Sequence, residues 1–302
     1  IVRVHVAASV EHVHTTRRFV MSCRMIICPV CGCAFIREIA QDRFEPRNRY
    51  LRCLGCGSGY SALRVRDIGE AARIHTAAYY SPERDELREV GAAEAHFLSR
   101  LARFKSSGRL LDIGCGKGRW LKYLRDHSSF DAEGVEPSPE AAEFARKERG
   151  LDVRTGDVFS VSYPDETFDV VYLRNVLEHV ADPRALTKEI RRIMKPGGVA
   201  AVHVPNDESF TNAMKRRLYR AGKIPECGSL FFPIHLNGFT PRALDFMFGE
   251  AGFGCLGRET LSKVNRAYEF PLVSHDIPLL PLACLESLSG RGNLILGWYT
   301  RR

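Results

Sequence analysis

No run of the chain approaches the ~20 apolar residues that a membrane-spanning helix needs. The greasiest stretch, Ile277 to Leu282, is short and interrupted by Pro278 and Pro281, so no membrane partner is expected. The long apolar core and small-residue cleavage site of a secretory signal are also missing. Nothing in the composition suggests a fibre or a disordered chain: of 302 residues, 45% are hydrophobic and 26% charged, as in ordinary globular proteins. A cytoplasmic protein with a packed core is the expectation. Acidic residues are scarce in one place only. Residues 1 to 80 hold 12 Lys and Arg against 6 Asp and Glu, whereas residues 81 to 256 hold 26 of each. That excess permits an anionic partner such as RNA, or is simply a solvated basic surface.

The length suits one large α/β domain of some 200 residues with a smaller appendage. Residues 1 to 24 start on Ile1, hold His5, His12 and His14, and show no continuing helix or strand pattern. They are expected to be an unstructured or non-native leader, with Met21 and Met25 as candidate starts.

Ten cysteines are present, and their spacing sorts them. Cys28-Pro29-Val30-Cys31-Gly32 and Cys53-Leu54-Gly55-Cys56-Gly57 are two C-x-x-C-G knuckles separated by 21 residues. Each knuckle can aim two thiolates at one ion, and two knuckles complete a tetrahedral site. The reading is a structural zinc held by Cys28, Cys31, Cys53 and Cys56, with redox or catalytic roles as alternatives. Cys23 and Cys33 are possible competitors. Cys115, Cys227, Cys255 and Cys284 are scattered singly, as reduced thiols would be. The zinc ribbon is placed at residues 25 to 60.

A connector and helix are expected over residues 61 to 106, the helix opening at Ser81-Pro82 with Leu87, Val90, Ala95, Leu98 and Leu101 on its apolar face. From Arg109 onward, short apolar runs alternate with amphipathic segments. The runs are 110–113, 132–136, 151–155, 168–173, 199–204, 253–259 and 293–299. The pattern predicts an α/β fold, a Rossmann-like, seven-stranded, mainly parallel sheet over residues 107 to 302, with ligands at the carboxyl ends of the strands.

The first such end reads Asp112-Ile113-Gly114-Cys115-Gly116-Lys117-Gly118 and runs into a helical pattern from Arg119. Alternate glycines let a ligand approach the backbone, and the helix start offers free N–H groups to an anion or carboxylate. Alone, such a turn serves many nucleotide-binding sheets. The sequel narrows it. Glu136-Pro137 ends the second run on a carboxylate able to accept two ribose hydroxyls, Asp157-Val158 follows the third with an acid and an apolar side chain suited to an adenine, and Lys195-Pro196-Gly197-Gly198 turns into the fifth.

Together with Val176-Leu177-Glu178-His179-Val180 after the fourth run, this series resembles the class I S-adenosylmethionine-dependent methyltransferases over roughly residues 109 to 252. The resemblance implies that Asp112, Gly114 and Gly116, with Cys115 in the same turn, line the methionine part of the cofactor. It also implies Glu136 beside Pro137 at the ribose, Asp157 and Val158 at the adenine, and Arg174 on the opposite side. Transfer to a hydroxyl needs a base, and His179 and His235 compete for that role, although either could merely hold backbone. A third reading gives Asn175, Glu178, His179 and His235 to a divalent cation.

Residues 206 to 240 form an expected acceptor cap, with Phe210, Met214 and Leu218 as the apolar face of a helix carrying Lys215, Arg216, Arg217 and Arg220. No Asn-Pro-Pro-Tyr segment or Pro-Cys nucleophile is present, which disfavours nucleobase methylation. The leading expectation is methylation of a small molecule or glycan on oxygen, with nucleotide-linked sugars as candidates. One alternative is an RNA methyltransferase docking RNA through Arg47, Arg49 and Arg52 of the ribbon. Another is a non-catalytic cofactor-binding assembly protein.

Overall fold

The structure, a computed structural model, describes residues 27–63, 92–262 and 280–302. The expected leader, Cys23 and the helix start at Ser81-Pro82 with Leu87 and Val90 lie outside the described residues.

The larger unit is a seven-stranded sheet made of β4 (Ser107–Ile113), β5 (Ser129–Glu136), β6 (Val153–Thr155), β7 (Phe168–Arg174), β8 (Met194–Pro205), β10 (Phe253–Leu261) and β11 (Leu294–Arg301), in the order β10-β11-β8-β7-β4-β5-β6. Strands β4 to β8 run parallel, and β11 lies antiparallel between β8 and β10. Each of the seven predicted runs is a strand. Central strands of a sheet covered on both faces must be apolar on both, and Val170, Val171 and Leu173 are all fully buried.

Helices α1 (Ala92–Leu101), α2 (Arg119–His127), α3 (Pro139–Arg149), α4 (Val158–Val161), α5 (Pro183–Ile193), α6 (Phe210–Arg220), α7 (Pro241–Glu250) and α8 (Leu280–Ser289) complete the described elements. Three of them open in the same way. Ser138, Asp182 and Thr240 accept a hydrogen bond from the third helical N–H, and proline occupies the first turn. The amphipathic spacing of α5 buries Leu186, Ile190 and Ile193 against the sheet. On α1 the buried residues are Glu94, Phe97 and Leu101, while Ala95 faces outward. The Phe97 ring packs among Trp120, Tyr172 and Trp298, and that aromatic cluster sets the helix's rotation.

The smaller sheet pairs β1 (Ile36–Gln41), β2 (Arg49–Cys53) and β3 (Gly59–Ser61) antiparallel, and takes its fourth strand, β9 (Asn237–Gly238), from the far end of the chain. Tyr60, Leu51 and the knuckle cysteines share one core with Leu177, Leu186, Phe239 and Ala243. Fully burying a side chain of this size contributes about 1.5–3 kcal/mol, so the two sheets are joined by more than their linker.

The helix α6 departs from its pattern. Met214 and Leu218 are 42% and 37% exposed, and its buried residues are Asn212 and Tyr219. The reason is polar: Tyr219 Oη donates to Gln41 O (2.8 Å) and accepts from Arg43 N (3.1 Å), and Arg216 reaches Asp207. These bonds turn the helix by its hydrophilic face onto the ribbon. Among the described residues, no helix is long and apolar enough to cross a membrane.

Candidate active site and cysteine cluster

The residues expected to hold a cofactor gather along one edge, since β7, β4, β5 and β6 are neighbours and all end there. Gly114 (φ 71°) and Gly116 (φ 58°) occupy the left-handed region. A Cβ on Gly114 would lie 2.8 Å from a Val176 methyl, so the turn is a cradle that tolerates no side chain. The Glu136 carboxylate ties this turn to the next one. Its two oxygens accept from Gly116 N (2.8 Å) and Ser138 N (2.9 Å), which fixes its aim and leaves each oxygen a second lone pair for a ligand hydroxyl.

Asp112 and Glu136 are 3% and 6% exposed. Burial and the facing Glu136 charge push the Asp112 carboxyl well up, against the pull of Arg174. Burial likewise raises Glu136, opposed by its two backbone donors. Burial, then Asp112 and Glu136, raise the Cys115 thiol, which therefore lines the turn as a neutral group. Two crowded buried acids suit a ligand that brings an ammonium and hydroxyl donors, as S-adenosylmethionine does. Pro137 is half-buried, just before the cap of α3.

Asp157 has a second task that sequence reading overlooked. Its Oδ1 accepts from Phe159 N and Ser160 N, both at 2.8 Å, and Ser160 closes a reciprocal capping box. The signal, Asp followed three residues later by Ser, was legible. Oδ2 stays available for an adenine amine, and Val158 is buried beside it.

The residues expected on the acceptor side begin where β7 ends. Asn175 adopts a left-handed φ of 54°, a conformation stored more often at sites than elsewhere, and its N–H donates to His203 O. Glu178, His179 and His235 then come together, with ligand atoms all within 4.8 Å of one another. His179 Nδ1 lies 2.9 Å from Ile234 O, and His235 Nδ1 lies 2.8 Å from Ser229 O. A carbonyl can only accept, so both Nδ1 atoms carry protons and each neutral ring has Nε2 as its acceptor. Burial lowers the His235 pKa, only partly opposed by the Ser229 carbonyl. His235, with Asn175, Asn212, Lys215, Glu226 and Ser229, lines a cavity of about 330 Å³ over the ends of β7 and β8; His179 does not. Glu178 is 1% exposed, no other described residue hydrogen-bonds either carboxylate oxygen, and burial raises its pKa to about 8. His179 Nε2 is 3.8 Å away.

The cysteines form a separate centre. Cys28, Cys31, Cys53 and Cys56 place their sulfurs within 4.8 Å of one another, with Cys28–Cys56 at 3.7 Å and Cys31–Cys53 at 3.5 Å. These are not disulfide lengths. A tetrahedral zinc with bonds of about 2.3 Å needs sulfur pairs about 3.8 Å apart, so the donor set fits that ion. The thiols compete for charge: hydrogen bonding from Cys28 and Ser58 draws Cys56 down to about 5, while burial pushes Cys31 up to about 12. Cys33 stays outside the group and accepts from Phe35 N.

The ribbon cations are less available than their positions in the chain imply. Arg52 turns inward and meets the buried Asp207 at 2.6 Å. Arg47 pairs with Glu45 at 2.7 Å and Arg49 with Glu38 at 3.4 Å.

This sheet order, with its one antiparallel strand, is the fold of S-adenosylmethionine-dependent methyltransferases. An Archaeoglobus fulgidus S-adenosylmethionine-dependent methyltransferase superposes with a TM-score of 0.51 at 19% identity, covering 76% of this chain and 98% of that one. The chain belongs to the methyltransferase-domain family, whose model matches residues 84–256, over half its length. It is similar to an uncharacterized methyltransferase of Schizosaccharomyces pombe (38% identity over 110 residues, 31% of this chain and 38% of the relative) and to a sterol 24-C-methyltransferase of Gibberella zeae (29% over 140 residues, 43% and 37%). The chain thus spans less than two fifths of the length of these relatives.

Proposed function

We propose that this protein transfers the methyl group of S-adenosylmethionine to a small polar acceptor held in the cavity over the ends of β7 and β8. The observation that carries the reading is that two parts meet on one segment: Val176 packs on the glycine cradle tied to Glu136, and Asn175 just before it lines a cavity together with an oriented histidine, His235. The bound cofactor supplies an electrophilic methyl on a sulfonium. The protein's tasks are to hold the acceptor in line and to take its proton. His235 Nε2, with Nδ1–H anchored on Ser229 O, is the base that receives a hydroxyl proton. Asp112, Gly114, Cys115, Gly116, Glu136, Asp157, Val158 and Arg174 hold the cofactor, and His179 fixes the loop beside it.

The acceptor is a small hydroxylated molecule or glycan methylated on oxygen. Of the cations on α6, Lys215 lines the cavity, whereas Arg216 bonds Asp207 and Arg220 bonds Ile39 O. Glu226 lines the same cavity, so Lys215 is matched by one carboxylate and the lining disfavours a diphosphate. Relatives named for sterol, phosphoethanolamine and quinol substrates support a small-molecule acceptor. The inward turn of Arg52 takes support away from RNA docking. The four cysteines hold a structural zinc, since a closed four-thiolate site leaves no position for substrate.

A second reading of the acceptor side is favoured by the buried Glu178 carboxylate, which no other described residue hydrogen-bonds and which clusters with two histidines: Glu178, His179 and His235 would grip a divalent cation that orients the acceptor. Metal analysis separates the two readings, one zinc per chain supporting the base and a second ion the cation. The decisive experiment is a labelled methyl-transfer screen over hydroxylated acids, nucleotide sugars and bulk RNA. Transfer to a small acceptor is expected, and transfer to RNA alone would overturn the reading.

A further inference from the structure

We infer that the cysteine ribbon is a working part of the acceptor site, in which Arg52 and Asp207 act as positioning residues for His235. The inference rests on the preceding reading for its catalytic consequence, and on separate observations for its geometry.

Three connections run from the ribbon to the histidines. In the first, strand β9 is the edge of the ribbon sheet, pairing Tyr60 with Asn237 and Gly59 with Gly238, and Ser61 N donates to Leu236 O (2.9 Å). His235 immediately precedes these residues, so its backbone is placed by ribbon pairing. In the second, the same segment clamps the Glu178-His179 loop. Leu236 N and Asn237 N both donate to Glu178 O, and the Asn237 amide donates to Leu177 O and Val180 O. The third is a buried polar relay. Arg52 meets Asp207 Oδ2 at 2.6 Å, Asp207 Oδ1 accepts from Ser229 Oγ at 2.8 Å and from Arg216 at 2.9 Å, and Ser229 O accepts from His235 Nδ1. Asp207 is fully buried, and removing a partner from a buried charged network costs more than a surface contact would. Thr240 Oγ1, at the head of α7, also donates to Cys56 O at 3.0 Å, one knuckle ligand away from the ion. None of these bonds touches Gly114, Gly116 or Glu136.

Integrity of the four-cysteine centre therefore governs the acceptor half of the site and spares the cofactor half. Metal loss would disable acceptor positioning while S-adenosylmethionine still binds.

The test follows the hydrogen-bonded Nδ1–H of His235 in ¹⁵N-edited spectra of the full chain, assigned by its absence in His235→Gln. Removing the metal with a chelator should abolish this signal and change S-adenosylmethionine affinity by less than about twofold. Arg52→Met should speed exchange of the same proton by about tenfold at unchanged metal content, and Arg52→Lys should restore most of the protection. Arg52→Met is chosen because Asp207 keeps Arg216, so the fold is not left with an unpaired buried charge; it decides the matter if the stripped protein unfolds. An unchanged His235 signal in Arg52→Met overturns the inference, as does cofactor affinity that falls in step with the signal on chelation. Failure of the untreated protein to bind S-adenosylmethionine would instead sink the proposed methyl transfer and leave the ring-proton result standing.

Discussion

The two halves of the proposed site are built by different means. The cofactor edge is assembled from the ends of adjacent parallel strands, and its contacts span 20 residues or fewer: Glu136 bonds Gly116 across 20 and Ser138 across two, and Asp157 bonds Phe159 and Ser160 within one turn. The acceptor side joins residues far apart, with Glu178 held by residues 236 and 237, Arg52 by Asp207, and Gln41 by Tyr219. The first kind of construction survives exchange of whatever surrounds it. The second lets one domain face carry many acceptors, because loops and appended modules can change it without disturbing the strand ends.

The sharpest way to separate the halves is His235→Gln. Loss of a general base lowers turnover by about 10²–10⁴-fold, with cofactor affinity unchanged within about twofold by calorimetry. A parallel loss of cofactor affinity would erase the distinction.

Glu178→Gln comes next and is read in stability. The folded pKa of Glu178 is raised to about 8 by burial, whereas an unfolded glutamate titrates near 4.3. The folded state therefore holds the proton more tightly, and its advantage is complete below the unfolded pKa and is lost as pH rises towards 8. Denaturant titrations should show the wild type losing a few kcal/mol between pH 5 and 8.5, and Glu178→Gln should flatten that slope. A wild-type slope already flat would favour a divalent cation at this carboxylate.

On the cofactor edge, Gly116→Val forces a β-branched residue into a left-handed conformation, and Glu136→Ala strips two backbone donors of their acceptor. Each should weaken S-adenosylmethionine binding by about tenfold or more, while His235 Nδ1–H stays protected. Wild-type affinity in both variants would count against this edge as the cofactor site. The smallest effect is expected from Arg49→Ala on the outer face of the ribbon, where the pair with Glu38 is exposed. It should change stability by less than about 0.5 kcal/mol.

Legibility in the sequence followed the same division. The seven strands were readable because buried parallel strands need continuous apolar runs. The four cysteines were readable because a knuckle is only four residues long. The orientation of α6 is not legible from the apolar spacing of Phe210, Met214 and Leu218, because Tyr219 and Arg216 dock the helix through polar bonds to residues outside it. Arg52 read as an outward cation for the same reason, since its partner Asp207 lies 155 residues away.

By itself, then, the sequence determined the strands, the glycine turn and each cysteine knuckle, because each is a short segment with its own pattern, although Glu136 lies 20 residues from Gly116 and the two knuckles meet across 22 and 28 residues. The tertiary structure decided that His235 rather than His179 lines the cavity, that Glu178 is buried with His179 3.8 Å from its carboxylate, and that the ribbon sheet is closed by Asn237 and Gly238. Those outcomes depend on which distant surfaces meet, and the free energy that selects them is shared between segments that carry no local mark of their partners.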